Sequence, residues 1–465
     1  GLLGLAMLGC GSGTQGDLSG TGFHKRGEVS GFGSVIVDGE AFATDSASFE
    51  IDGQAGSEAA LEVGMIVTLE VDADGNLQVL EFDSTLTGPV EAIGENSLTV
   101  AGQTVLVDAL TTFEQGDLED VQHNARVRIS AYAETAETLR ASFVGAADSA
   151  QTDLQGRVAA LDTAAQRFRL GAATVDYSQA GEFAVADDLR NGDLVAVSGE
   201  YDADSRLLTA QSLAMLDRVP TRQAGRQLEW SGLVSNPGDG GFQLDDLIVR
   251  FDADARFERG DADDLAAGSK VTVSGAFAPD GVLEAEQIRL QPAVTVEFEA
   301  QVESVDADNG TITMLNGQVV SVAVDARLRD ASVRSQRRFT PQSIQSGDRV
   351  VVSGFESGER VIALRVERRD ADADNDGEAD QTRIRGQIRS LDEESRQVAL
   401  PGATVQLDDD TAFEGYADEA DFFQTAQVGD EVTAEGDYDS NNQVLRAAVI
   451  TAEGNARSSG AAGPP

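Results

Sequence analysis

Few residues in this chain have both the type and the spacing to do chemistry. Asp370-Ala-Asp372-Ala-Asp374-Asn-Asp376-Gly377-Glu378-Ala-Asp380 sets carboxylates at alternate positions and a glycine where a sharp turn is needed, which is the first half of a calcium loop. Asp372, Asp374, Asp376, Glu378 and Asp380 are the expected ligands. The twelfth loop position is Arg383 rather than glutamate and no helical pattern flanks the run, so it reads as an acidic calcium linker and not a regulatory EF-hand. Bound calcium would stiffen the joint by neutralising carboxylates that repel one another; without it the run is a plain acidic linker.

A second group is cationic. Arg327, Arg329, Arg334, Arg337 and Arg338 share one loop, and 14 of the 34 basic residues lie between 325 and 396 beside fifteen acidic ones. Such a loop suits docking on the acidic face of another module, on a second subunit or on an anionic polysaccharide; scattered surface pairs of little energy are the alternative. Catalytic groups are scarce. Nucleophilic catalysis and zinc binding need His or Cys clusters, and the chain holds His24, His123, two lysines and one cysteine. Paired carboxylates are uninformative among 81 acidic residues. The expectation is a protein that is not an enzyme.

The formal charge of −47 repels phosphate and argues against nucleic acid as a partner, since phosphate binding needs a basic stripe. The single cysteine excludes an internal disulfide. Cys10 follows the apolar run Gly1-Leu-Leu-Gly-Leu-Ala-Met-Leu-Gly9, the pattern of a trimmed bacterial lipoprotein signal in which Cys10 receives the lipid. Gly11 after the cysteine favours the outer membrane, and residues 11–26, rich in Gly, Ser and Thr, read as a flexible tether.

These groups must be carried by a scaffold that repeats. Leu189-Arg-Asn-Gly192-Asp-Leu-Val195-Ala-Val197-Ser-Gly199 reads as a turn running into a strand, and it recurs around Gly64, Asn124, Gly268, Gly347 and Gly429. Asn124 replaces glycine in the second copy and tolerates the same left-handed backbone. The modules span 27–84, 85–148, 152–217, 225–292, 295–369 and 382–454, with a linker at 370–381 and a tail at 455–465. Abundant glycine, few aromatics and short Val/Leu/Ile runs make the class all-β.

Gly31-Phe32-Gly33-Ser34-Val35-Ile36-Val37-Asp38-Gly39 followed by Phe42 resembles the start of the bacterial domain-of-unknown-function family 5666, found as tandem repeats in lipoproteins and secreted proteins. That resemblance implies small OB-like β-barrels and no activity. The expected architecture is a linear array of about six five- to six-stranded OB-like β-barrel modules. Trp230, aligned with Leu86, Leu154, Phe298 and Ile384, is expected in the core; Tyr177, Tyr201 and Tyr438 are the aromatics expected to be exposed. The functional expectation is a non-catalytic, lipid-anchored cell-envelope stalk, structural or adhesive, that self-associates or is stiffened by calcium; the alternative is carbohydrate binding on barrel faces.

Overall fold

The computed structural model describes residues 22–180, 189–219, 222–315, 317–358, 360–370, 382–439 and 444–453. The chain is all-β, with one short α-helix, Glu419–Thr425, among the described residues. Module two shows the plan. Its opening strand Leu86–Gly94 pairs with Ser97–Val100, which pairs with Gln103–Leu106. That strand lies parallel to the last strand, Thr138–Ala146, which pairs with Arg126–Ala133, and Arg126–Ala133 returns to the opening strand. The pairings run in a ring of five strands. Modules three to six repeat it. In module one the third strand, Glu40–Phe42, has no pairing with the last strand, and Ser48–Ile51 takes that place.

The recurring motif has a specific job in each ring. Its turn residue sits at positive φ in all six copies, including Asn124 at 64°, so the asparagine does preserve the glycine geometry. The glycine at the end of the motif does not end the strand. Gly199 lies inside Leu194–Asp202 at a bulge, and a Cβ there would sit 2.1 Å from the Thr209 carbonyl oxygen; Gly275, Gly354 and Gly436 occupy the same bulge.

Opening strands bend in the middle and use the two halves differently. In module two the second half pairs with Ser97–Val100, while along the same edge the first half meets module three, with Leu86 opposite Leu154. Module five meets module six in the same way, Phe298 opposite Ile384. Module one pairs out of order with module four, in parallel: His24 opposite Leu228, Lys25 opposite Glu229 and Arg26 opposite Trp230. The result is three sheets of 13, 12 and 12 strands, each holding two modules. A linear array of independent barrels is therefore corrected to three sheet-sharing pairs. The physical reason is that a ring with a bent opening strand leaves a half-edge of N–H and C=O groups, which another module's half-edge satisfies.

Modules two and three share one apolar core, as do five and six, whereas one and four keep separate cores. A chain ending at Arg369 uncovers the half-edge of Val296–Asp306. In sedimentation velocity it is expected to self-associate with rising concentration more strongly than the full chain does. A truncated chain that stays monomeric contradicts the edge argument.

Candidate functional site: a buried charged junction

Module one's opening strand, Phe23–Phe32, is buried along nearly its whole length, because one face fills its own core and the other packs on modules four and five. The strand therefore begins inside the stretch expected to be tether, and His24 is half-buried rather than solvated. Arg226 lies against its ring, and burial followed by that cation lowers its pKa. His123 is an exposed loop residue.

Charged side chains on a doubly buried strand need partners. Lys25, 1% exposed, donates to Glu229 at 2.7 Å and Glu40 at 2.9 Å. Burial opposes its charge, but Glu229 and then Glu40 hold its pKa above the ordinary value. Arg26 lies over the rings of Tyr132 and Trp230, 5.5 and 5.6 Å from their centroids, and donates to the Ser231 carbonyl oxygen at 3.2 Å. Glu28 receives Lys270 Nζ of module four at 2.6 Å and Arg327 Nε of module five at 2.9 Å. Burial works against its charge, yet Arg327 and Lys270 hold its carboxyl down at about 2. Asp38 accepts from the Glu28 N–H at 3.0 Å and from Ser231 Oγ at 2.6 Å, and burial raises its pKa. Both lysines of the chain thus sit in one junction where modules one, two, four and five meet.

The junction encloses a polar cavity of about 20 Å³ lined by Glu28, Asp38, Lys270, Asp325 and Arg327. That is the size of a water molecule, so no substrate can reach these groups. Their charges pair with one another, while Arg327 Nη1 and the Tyr132 hydroxyl are buried without a hydrogen-bond partner among the described residues.

Five repeats match the model of the domain of unknown function DUF5666, over residues 87–145, 155–212, 231–289, 299–367 and 385–451. The chain belongs to this family. No curated protein matches it. The solved structure titled "drosophila Unr CSD456" aligns over 47% of this chain and 97% of its own at 17% identity, with a TM-score of 0.12 that carries no argument. Module one, whose opening motif carried the resemblance, lies outside the matched DUF5666 segments, and it is also the module whose ring is incomplete.

Of the five arginines expected in one loop, Arg327 and Arg329 lie instead on the strand Val319–Asp330, and three of the five cross to other modules. Arg327 reaches Glu28; Arg329 donates to the Glu114 carbonyl oxygen and to Glu367 at 3.1 Å. Arg337 donates to the carbonyl oxygens of Glu58 and of Leu61 (3.0 Å) and lies 3.7 Å above the Phe32 ring. Arg334 pairs within its module with Asp348 at 3.1 Å, and Arg338 is exposed. Cys10 and the carboxylates Asp372, Asp374, Asp376, Glu378 and Asp380 lie outside the described residues, among which no group of three His, Cys, Asp or Glu is placed to hold a metal.

Trp230 is fully buried. The aromatics expected to be exposed are not: Tyr177 is 4% exposed against Phe168, and Tyr201 and Tyr438 pack on module cores. Tyr201 and Tyr438 follow the strand alternation inward, and Tyr177 just past Ala173–Asp176 packs on Phe168, because an apolar ring is favoured there. The junction itself was missed. Its signal was the placing of both lysines within β-prone runs, Lys25 two residues after Phe23 and Lys270 directly before Val271.

Glu28→Gln leaves Lys270 and Arg327 buried without their counter-charge and is expected to cost about 3–5 kcal/mol at pH 7 in urea unfolding. Because the folded-state carboxyl is held below its ordinary value of 4.5, its stabilisation is present above that pH and lost as the pH falls toward about 2. The gap between Glu28→Gln and the natural chain should close over that window. Asp38→Asn, which removes a carboxylate whose pKa is raised, should cost far less at neutral pH.

Proposed function

We propose that this DUF5666 chain is a non-catalytic, exported protein, anchored by lipid on Cys10, whose six OB-like modules act as one rigid structural or adhesive body at the cell envelope. The observation that carries the reading is the out-of-order pairing of module one with module four across the adjacent pair two and three. A stalk of beads would pair neighbours or none. The five-stranded ring order supports OB-like modules, and the reciprocal satisfaction of the buried charges supports a role in assembly rather than catalysis. Export is supported by the apolar run before Cys10 and by a surface charge suited to a salty exterior.

A second reading, carbohydrate binding, is favoured by a cleft between modules two, four, five and six.

Small-angle scattering from residues 22–453 tests the body. A radius of gyration of about 22–27 Å is expected, at or slightly above the compact limit of about 22 Å for such a length, whereas six modules in line would give about 50 Å. The full chain should partition into membranes and Cys10→Ala should not, with the radius of the 22–453 body unaffected by the anchor. A radius near the extended value, or membrane attachment that survives Cys10→Ala, contradicts the proposal.

A further inference from the structure

The cleft has a volume of about 740 Å³, inside the range of roughly 300–1,000 Å³ that small-ligand sites occupy. Its floor is the seam between modules five and six. There Glu299 stands opposite Arg383 and Glu297 opposite Arg385, so planar donors and acceptors alternate across the joined sheet. Each is fixed by a neighbour: Arg383 by Glu435 at 3.0 Å, Arg385 by Glu431 at 3.2 Å and Glu453 at 3.4 Å, Glu299 by Arg349 at 2.6 Å, and Glu297 by the Ser353 hydroxyl at 2.8 Å. At the inner end Arg365 of module five donates to the Ala109 carbonyl oxygen of module two at 3.1 Å and closes the cleft. The linker between modules four and five forms an apolar wall with Pro292 and Val294.

Charge decides the ligand class. Six cationic and seven carboxylate side chains line the cleft, which is close to balance in a chain of −47. Cations already matched to carboxylates give a polyanion little to gain, and the surrounding field repels it. A purely apolar ligand would desolvate the charged floor without replacing its hydrogen bonds. Vicinal hydroxyls both donate and accept, so they match alternating guanidinium and carboxylate groups.

We infer that this cleft binds a neutral oligosaccharide, held by Arg383, Arg385, Glu297 and Glu299. The inference rests on the second reading above and names its site and ligand class. A glycan array bearing neutral, uronate-containing and sulfated oligosaccharides, probed with the whole chain, selects the best neutral glycan for calorimetric titration. Arg383→Gln and Arg385→Gln remove exposed or half-exposed ion pairs, which cost little stability. Each is expected to weaken binding about tenfold or more. Ala293→Trp, at the exposed rim, should fill the cleft and abolish binding. Arg446→Gln, which breaks an exposed pair with Asp439 outside the cleft, should change nothing. Neutral-glycan binding unaltered by the three cleft variants overturns the site while leaving the saccharide reading standing. Binding confined to uronate or sulfated glycans overturns the ligand class, and binding to no glycan overturns both.

Discussion

A bent strand at the mouth of a small β-ring leaves half of one edge with unsatisfied N–H and C=O groups, and the arrangement of this protein follows from how that half-edge is covered. Left open, it would template pairing with any other chain. Here every described opening strand is covered by the opening strand of another module, which is why an even number of rings forms three shared sheets.

The cover is sealed in two ways. Between modules two and three, and between five and six, equivalent apolar residues face one another and the cores merge, with each buried Leu, Phe or Ile contributing about 1.5–3 kcal/mol. Between modules one and four, the equivalent position puts Trp230 against Arg26, and the seal is ionic. Apolar faces tolerate alternative partners; a buried lysine does not. A slip of one residue would set Lys25 against Leu228 or Trp230 instead of Glu229 and leave its charge uncovered. We attribute the selection of module four over its neighbours to this registry. Arg327 and Arg337 then bring module five onto module one, so these arginines work inside the chain.

Much of this was legible in the residues. The six turn positions, the strand runs behind them and the inward Trp230 follow from local rules of turn chemistry and alternation. Gly199 and its counterparts were visible as repeats but not as bulges, since a bulge depends on the carbonyl across the hairpin. Module pairing was not legible, because nothing in a strand's own pattern says which edge it offers or to whom. The lysines pointed there. Two lysines in an acidic chain read as surface residues until the strand that carries Lys25 is found buried on both faces.

The covering of half-edges is tested most directly by native-state hydrogen exchange at the three seams. Amides at 24–26 and 228–230, at 86–87 and 153–154, and at 296–299 and 383–386 are expected to exchange in matched pairs, each pair at one common, slow rate. Fast exchange along 24–26 while the rest of module one stays protected would contradict it.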